Sequence, residues 1–396
     1  MDLRVNMLTK TIPSPLQELR PVIYDTIEQI PQAVWDELAL RRSEVMSWRF
    51  WRVLEAAALN DFRYSHVLFT DPQGKPLGLT SFYSVTTDLA IFAPASLRRL
   101  LGGIRQVWPG FMKLRMLECG TPITIVSPPL AHLPGMSEAA LADAAAKLLL
   151  RTARAQGQFL IVVRDFEPAA KPWEAFFTRH GFTVSDSLPN TYLDIRWPTP
   201  QAYLGAMRSY YRSKLLKFLK RNQAAGVTHE LVEEFADLAE TLHAQWMTVH
   251  ESAREFQREV LTPDFYRLLS REMQGRAKVL LFRRHGALAG HALLLQDGEE
   301  MRWLYVGREV AEHDGLYLYI AQKVVETAIL LGAKRLEMGF TTYPIKQDLG
   351  AEIVPTRMAL RATNGFINIF VGIGYKLLNK VPNPAPRQIF RQEGQP

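Results

Sequence analysis

Three ionisable side chains occur close together between residues 337 and 346. Tyr343 and Lys346 are three residues apart, so a helix would place them on one face. A tyrosine hydroxyl can donate a proton, and a partly buried lysine can donate one, stabilise a developing negative charge or bind a phosphate. Glu337 lies in the strand-like sequence RLEMGF, where a buried charge needs a function or a partner such as Arg302. Each of the three side chains could take part in acid–base chemistry; a solvated lysine, a core tyrosine and a structural ion pair are the alternatives.

A second candidate site lies where the strand-like sequence MRWLYVGR leads towards a helix that starts near Leu316. His313, Asp314 and Gly315 precede this helix, and Leu316 and Tyr317 begin it. The free N–H groups and the dipole at a helix start favour an anion such as a pyrophosphate. We therefore expect these residues to bind a cofactor; an ordinary aspartate-capped helix is the alternative.

Residues 209–227, SYYRSKLLKFLKRNQAAGV, form a strongly basic segment without an acidic residue. On a helix, its leucines and phenylalanine fall on one arc and most of its cations on the opposite one. We expect the apolar arc to dock on the protein and Arg212, Lys214, Lys217 and Arg221 to contact a substrate or a phosphate, carried by a donor, a polyprenyl pyrophosphate or RNA. A solvated face and an anionic membrane surface are the alternatives.

Several other chemistries lack their motifs in this sequence. There is no H-E-x-x-H, G-x-S-x-G or Walker sequence. His243 and His250 are seven residues apart, which on a helix is too far for both to bind one metal ion. We expect no metal site, and the sequence argues against a metalloprotease, a serine hydrolase or an NTPase.

The composition is that of an ordinary globular protein in a reducing compartment. Of 396 residues, 47% are hydrophobic and 22% are charged, which excludes extensive disorder. Cys119 is the only cysteine, so a disulfide framework is excluded. The net charge of +7 favours anionic partners. Because neither a signal sequence nor a membrane-spanning run is found, we expect a cytoplasmic location, with peripheral contact at the inner membrane face left open.

The elements that would position these residues are repeated along the chain. Each half has a hairpin with a matching glycine, Gly78 or Gly290, followed by a helix, a strand, a short helix and another strand. Residues 88–136 read as an insertion in the first half. The sequence RWPTP at 196–200 separates the halves, because the residue before a proline disfavours helix. We expect an α+β protein with modules at 1–197 and 198–364, and an extension at 365–396. The apolar stretch 365–380 of this extension should pack on the second module, with insertion at a membrane interface as the alternative.

Residues 305–351 resemble the GNAT superfamily of acyltransferases. Residues 339–350 meet a G-x-x-x-Y-x-x-K-x-x-x-G pattern. The order of the elements from about residue 60 to 364 is similar to the tandem branch of the superfamily, which includes Fem-type peptidoglycan aminoacyltransferases and related peptidoglycan-biosynthesis-like acyltransferases. The resemblance implies two GNAT folds side by side, each a mixed central sheet flanked by helices.

The resemblance also implies a function: transfer of an acyl group from an acyl-coenzyme A thioester, acetyl or longer, to an amine on a small molecule or a glycolipid. When the sequence is aligned with the family's motif, Lys346 or Tyr343 stands near the position of the catalytic acid, and Glu337 is the candidate base. Phe177 stands at the corresponding place in the first module, which is therefore expected to be degenerate. The usual glycine-rich pyrophosphate loop is reduced to Gly315, so an aminoacyl-tRNA or an acyl carrier protein stays open as the donor. A non-catalytic protein that binds phosphorylated glycolipid or RNA is the other alternative.

Overall fold

The structure is a computed structural model that describes residues 18–88, 102–111, 113–167, 171–252, 258–310, 315–378 and 381–391. In the first half, the helices are α1 (Gln32–Ala39), α2 (Trp48–Ala56), α3 (Glu138–Ala155) and α4 (Lys171–Arg179). The strands of this half are β1 (Arg20–Tyr24), β2 (Arg63–Thr70), β3 (Pro76–Asp88), β4 (Lys113–Cys119), β5 (Leu130–His132), β6 (Leu160–Phe166), β7 (Thr183–Asp186) and β8 (Asn190–Asp194).

The second half repeats this alternation with additional helices. Its helices are α5 (Pro200–Ala206), α6 (Ser209–Ala224), α7 (Ala239–Ser252), α8 (Pro263–Glu272), α9 (Leu316–Leu330), α10 (Tyr343–Asp348) and α11 (Gly365–Leu378). Its strands are β9 (Val227–Val232), β10 (Ala277–Arg284), β11 (Ala287–Asp297), β12 (Glu300–Arg308), β13 (Arg335–Glu337), β14 (Glu352–Val354) and β15 (Arg357–Ala362).

The strands form two mixed sheets, which confirms the predicted α+β class. Sheet A has the order β1-β2-β3-β4-β6-β15-β7, with β5 paired to β3, and sheet B has the order β14-β8-β13-β12-β11-β10-β9. The hairpins correspond: Gly78 lies opposite Phe69, and Gly290 lies opposite Phe282. In each sheet one parallel pair, β4–β6 or β12–β13, follows the antiparallel strands. The helix between the two strands of each pair is α3 or α9.

The two halves exchange one strand each. β8, from the first half, lies between β13 and β14 in sheet B. β15, from the second half, lies between β6 and β7 in sheet A. Sheet membership therefore crosses the expected boundary between residues 197 and 198, and the division into modules at 1–197 and 198–364 stays a prediction.

One expectation about the first sheet was wrong. Residues 88–136 are not simply an insertion, because they contain β4, the counterpart of β12, and β5. The alternation of charged and apolar residues in KLRMLEC is the strand signal that identifies β4. The extension is divided between the two sheets. α11 lies on sheet A, where Val371 and Tyr375 contact Met116, Val162 and Leu360, because β15, which precedes it in the chain, is part of that sheet. Ile389 and Phe390, by contrast, pack in the hydrophobic cluster of sheet B.

The halves share one hydrophobic core. Trp35 and Phe50 from α1 and α2 belong to the same buried cluster as Phe265 from α8 and Leu304 from β12. On the other face of sheet B, α9 is buried along almost its whole length, beneath α5 and α6. Burial of this much apolar surface holds the second sheet against the first half of the chain. In the described ranges, no helix is long and apolar enough to cross a bilayer.

Candidate active site

A gap between two strands of sheet B is the centre of the candidate site. β12 and β13 are parallel and pair over three positions, ending at Arg302 opposite Glu337. β13 stops there while β12 continues to Arg308, so the later part of β12 faces the loop at 339–342 instead of a strand. An edge of β12 that lacks a neighbouring strand can pair with an extended ligand.

The loop on the other side of the gap has a strained backbone. Gly339 has φ of 75°, and the two threonines that follow Phe340, Thr341 and Thr342, have φ of 66° and 46°. For β-branched residues the left-handed region is unfavourable and costs about 1–3 kcal/mol each. Strain of this size is maintained only where the surrounding structure fixes the backbone, and here the loop fixes two carbonyl groups.

Those carbonyl groups hold the ammonium of Lys346. Its Nζ donates to the carbonyl oxygens of Gly339 at 2.9 Å and Phe340 at 2.8 Å, and the residue is 3% exposed. Burial lowers the pKa of Lys346 to about 7, with the charge of Glu337 acting in the opposite direction. The side chain can therefore take up or release a proton near neutral pH.

Tyr343 is on the same short helix, as predicted, and its hydroxyl has a backbone partner. It donates to the carbonyl oxygen of Pro189 at 2.9 Å, and the residue is buried. In the structure Tyr343 is therefore a core tyrosine with a hydrogen-bonded hydroxyl, the alternative given in the sequence analysis. To donate to a substrate, the hydroxyl would first have to leave Pro189.

Glu337 belongs to a buried ion pair. It contacts Arg302, directly opposite it on β12, and accepts a hydrogen bond from Nδ2 of Asn190 at 2.6 Å. Arg302 also donates to Asp297 at 2.8 Å. As a base, Glu337 would have to release Arg302 before it accepted a proton, so its carboxylate is better suited to holding β12 against β13.

The start of α9 forms the far end of the gap. Gly315 is its N-cap, with φ of 84°, and a Cβ there would lie 2.8 Å from the ring of Phe218 on α6. Nη1 of Arg221 lies 4.0 Å from that same Cβ position. The basic helix α6 thus crosses the start of α9 and places one of its predicted phosphate-binding residues there. His313 and Asp314 lie outside the described residues.

Tyr317 connects the start of α9 to the strained loop. Its hydroxyl hydrogen-bonds with Oγ1 of Thr342 at 2.9 Å, and its ring stacks on Trp303 with centroids 5.8 Å apart. The guanidinium of Arg308 lies 5.9 Å from the centre of the Tyr317 ring. Leu316, by contrast, is buried in the core beneath α9. Of the five residues expected here, Gly315 and Tyr317 border the gap and Leu316 supports it.

The other cations predicted on α6 have different environments. Lys217 is exposed and Arg212 is half-buried. Lys214 donates to the buried carboxylate of Asp348 at 2.6 Å, and Arg387 from the C-terminal segment pairs with the same carboxylate. Lys214 therefore ties α6 to α10. The basic segment forms a helix, as predicted, and Leu215 of its apolar arc is buried.

The corresponding region of the first half is filled. β4 and β6 pair up to Cys119, the last residue of β4, opposite Val163. Just beyond, Arg164 donates to the carbonyl oxygen of Thr121 at 2.8 Å. Phe177, where the family's register would place an acid, is fully buried. Among the residues that the structure describes, this half has no counterpart of the gap in sheet B.

Sequence reasoning missed a polar network between the halves. Tyr305 on β12 donates to Oε1 of Glu259 at 2.8 Å, and the backbone N–H of Thr124 donates to the same oxygen at 3.0 Å. Next to it, Arg258 pairs with the buried Glu118. No local pattern marks these residues, because each partner comes from a distant part of the chain.

Comparison with known proteins gives a family match in the second half and a similar fold over the whole chain. Residues 209–347 match the family described as "Acetyltransferase (GNAT) domain". A Mycobacterium tuberculosis protein named "Putative 8-amino-7-oxononanoate synthase 2" is 28% identical over 324 residues, which cover 80% of this chain. The chain spans only 42% of the length of that relative.

Two solved structures share the fold. The crystal structure of FemX is 12% identical, with a TM-score of 0.55, and the match covers 88% of this chain and 98% of FemX. The C-terminal domain of a "Putative Lysylphosphatidylglycerol Synthetase" from Agrobacterium fabrum is 11% identical, with a TM-score of 0.52, covering 87% of this chain and 96% of that domain. At these identities the similarity concerns the fold alone.

Proposed function

We propose that this chain is an N-acyltransferase of the GNAT superfamily, because residues 209–347 match the acetyltransferase (GNAT) domain family and the fold is similar to that of FemX. It would move an acyl group from a coenzyme A thioester to an amine. The observation that carries the proposal is the gap between β12 and β13, which opens beside the start of α9 and is bordered by the buried Lys346.

The shape and the charge of the gap support a coenzyme A donor. The amide groups of its extended arm can pair with the edge of β12 beyond Arg302. Its pyrophosphate is attracted by the N–H groups at the start of α9 and by the cations Arg221 and Arg308 nearby. Gly315 favours this role because a larger residue would press against Phe218.

The reaction requires one bond to form and one to break. The amine nitrogen attacks the thioester carbonyl, the C–N bond forms, the C–S bond breaks, the amine loses a proton and the sulfur gains one. The ammonium of Lys346 would protonate the leaving thiolate, and Lys346 would regain its proton from solvent, which has received the proton of the amine. Its pKa of about 7 is near that of a thiol, so this transfer has little thermodynamic barrier. Tyr343 is the second candidate for the acid.

The acceptor would approach between the two halves of the chain, where ligand pockets often form. Tyr305 and Glu259 border this side of β12. An amine on a small molecule or a glycolipid is the proposed class of acceptor, and the cytoplasm is the proposed location, in keeping with the single buried cysteine.

The donor is tested by thermal unfolding of the full chain with coenzyme A, acetyl-coenzyme A and a long-chain acyl-coenzyme A at equal ionic strength. A ligand at about a hundred times its Kd should stabilise the fold by about 2.7 kcal/mol, or about 3 °C in Tm for a chain of this length. A shift that depends on the acyl chain would identify the acyl class. No shift with any of them would contradict the thioester donor and favour an aminoacyl-tRNA, the alternative suggested by the fold shared with FemX, or a non-catalytic binding role.

The acid is tested by Lys346→Met, with Lys278→Met as the matched control. Lys278 is also buried and also donates to a backbone carbonyl, that of Gly275, but it lies on β10 away from the gap. We expect Lys346→Met to lower kcat by about a hundredfold or more, the usual contribution of an acid, and Lys278→Met to retain it. Wild-type turnover should fall as the pH rises above about 7, where Lys346 loses its proton. Equal turnover in the two variants would remove Lys346 from the mechanism.

A further inference from the structure

Helix α11 presents an apolar stripe to solvent. The exposed members are spaced at three and four residues along one face: Phe366 is 73% exposed, Ile369 69%, Phe370 53%, Ile373 60% and Leu377 78%. Soluble proteins rarely expose a contiguous apolar patch of this kind without a partner. Its amphipathic spacing is that of a helix that lies with one face in an apolar medium.

The inner face of α11 fixes this orientation through polar contacts. Nδ2 of Asn368 donates to the carbonyl oxygen of Gly181 at 2.8 Å, and the hydroxyl of Tyr375 donates to the carbonyl oxygen of Asp186 at 3.0 Å. Gly372 allows close approach to β7, since a Cβ there would lie 2.7 Å from Cγ2 of Thr183. Because the hydrogen-bonding residues point inward, the helix cannot bury its apolar stripe by rolling without breaking these contacts.

The charge on α11 indicates the kind of surface that would cover the stripe. Residues 365–378 contain neither Asp nor Glu, and Lys376 is the one charged residue among them. Lys376 is exposed on α11 itself. A surface of anionic headgroups over an apolar interior matches both the stripe and this charge.

A second exposed apolar segment, residues 102–111, is attached at the same end of sheet A as α11. Met116 of β4 and Ala362 of β15 both lie opposite Leu160 at the start of β6. α11 begins three residues after Ala362, and the segment 102–111 ends just before β4. In that segment Val107 is 91% exposed and Trp108 is 62% exposed. Both apolar features therefore come from chain segments attached at this end of the sheet.

We propose that α11 docks the protein on the surface of an anionic phospholipid bilayer, with the stripe from Phe366 to Leu377 inserted among the acyl chains and Lys376 at the headgroups. The helix lies in the interface and does not span the bilayer, since its 14 residues are too few. This docking goes beyond the proposed acyl transfer and does not depend on it, because neither the gap nor Lys346 is part of the surface.

The experiment is co-sedimentation of the full chain with vesicles of phosphatidylglycerol and phosphatidylcholine, compared with phosphatidylcholine alone, at low and high salt. The test variant is the double replacement Phe370→Ser and Ile373→Ser; the matched control is Leu330→Ser, 72% exposed at the end of α9. We expect binding to the anionic vesicles, weaker at high salt, and a loss of about tenfold or more per replaced stripe residue. The control should bind like wild type, and Phe370→Trp should bind and shift its fluorescence to shorter wavelength on insertion.

Three results would overturn the proposal. The first is an absence of binding by the wild-type chain to anionic vesicles. The second is that the stripe variant binds anionic vesicles as well as wild type does, while Lys217→Gln binds them less well; this would assign the contact to the basic helix α6. The third is a wild-type dimer in sedimentation that the stripe variant converts to a monomer, which would assign the stripe to a second copy of the chain. Unchanged Tm in the double variant verifies that its fold is intact.

Discussion

Removing Arg302 should destabilise the protein more than almost any exposed substitution, because this one side chain joins three parts of the site. Its guanidinium pairs with Glu337 on β13, donates to Asp297 at 2.8 Å and donates to the carbonyl oxygen of Val126, in the first half, at 3.1 Å. Arg302 and Glu337 are both buried. Arg302→Met keeps most of the volume of the side chain and removes its charge, leaving the Glu337 carboxylate buried without its cation.

The magnitude follows from the cost of an unpaired buried charge. Breaking such a pair from one side typically costs about 3–5 kcal/mol. For 396 residues this corresponds to a fall in Tm of about 4–6 °C, from an unfolding entropy of about 2.1 cal/mol/K per residue. Glu337→Met should cost a similar amount, because it leaves Arg302 buried with fewer partners. The double variant should cost clearly less than the sum, since neither charge remains.

The assay is urea unfolding of the wild type, both single variants and the double variant, with Tm as a second measure. We expect a coupling free energy of about 2 kcal/mol or more between Arg302 and Glu337. Additive effects would refute the reasoning, because they would mean that the two charges do not depend on each other. Turnover of the double variant separates the two roles considered for Glu337: a structural ion pair predicts that most of kcat survives, whereas a catalytic base predicts that it is lost.

Two further predictions concern other buried positions in the second half. Burial lowers the pKa of His291 to about 3, so this side chain stays neutral in the folded protein, whereas in the unfolded chain it gains a proton below about pH 6.5. The free energy of unfolding, measured by urea titration, should therefore fall by about 2 kcal/mol between pH 8 and pH 5. His291→Gln should remove this pH dependence. In Gly315→Ala, about ten times more donor should be needed to produce the same rise in Tm, because a Cβ would displace Phe218 at the start of α9. The control is Gly332→Ala, which is also at positive φ but has open space around its Cβ position. An equal response of the two variants to the donor would contradict this role of Gly315.

Elements set by local patterns could be predicted from the sequence. The Gly78 and Gly290 hairpins were predicted because alternating apolar residues surround a turn, and helix α3 was predicted because Ser137 caps a run of strong helix formers. The placement of Tyr343 and Lys346 on one short helix also follows from their spacing. Each of these features depends on residues within one turn or one hairpin.

Features set by distant partners could not be predicted in this way. A sequence pattern shows that NTYLD and RMALRA are strands, but it does not show that β8 and β15 each join the sheet of the other half. The environment of Lys346 depends on the strained loop that turns the carbonyl groups of Gly339 and Phe340 towards it. Positive φ at two successive threonines is against their preference, so no propensity argument would place them there.

The strand exchange leads to a prediction about the two modules. We expect fragments 1–197 and 198–396, made separately, to aggregate or to unfold without cooperativity. The second fragment lacks β8, so β13 keeps only β12 as a neighbour, and Glu337 loses Asn190. The first fragment lacks β15, so β6 and β7 no longer have a common partner. Exposed edges of this kind favour aggregation.

Co-expression of the two fragments is the control, because each supplies the strand that the other lacks. We expect the pair to purify as a complex that unfolds in one transition, since the two halves also share the core around Trp35 and Phe265. A fragment 198–396 that is monomeric, unfolds cooperatively on its own and keeps the donor-induced thermal shift would show that the second module folds without the exchange. In that case the gap between β12 and β13 would not depend on the first half, and the exchanged strand β8 would serve assembly of the two halves and not the geometry of the site.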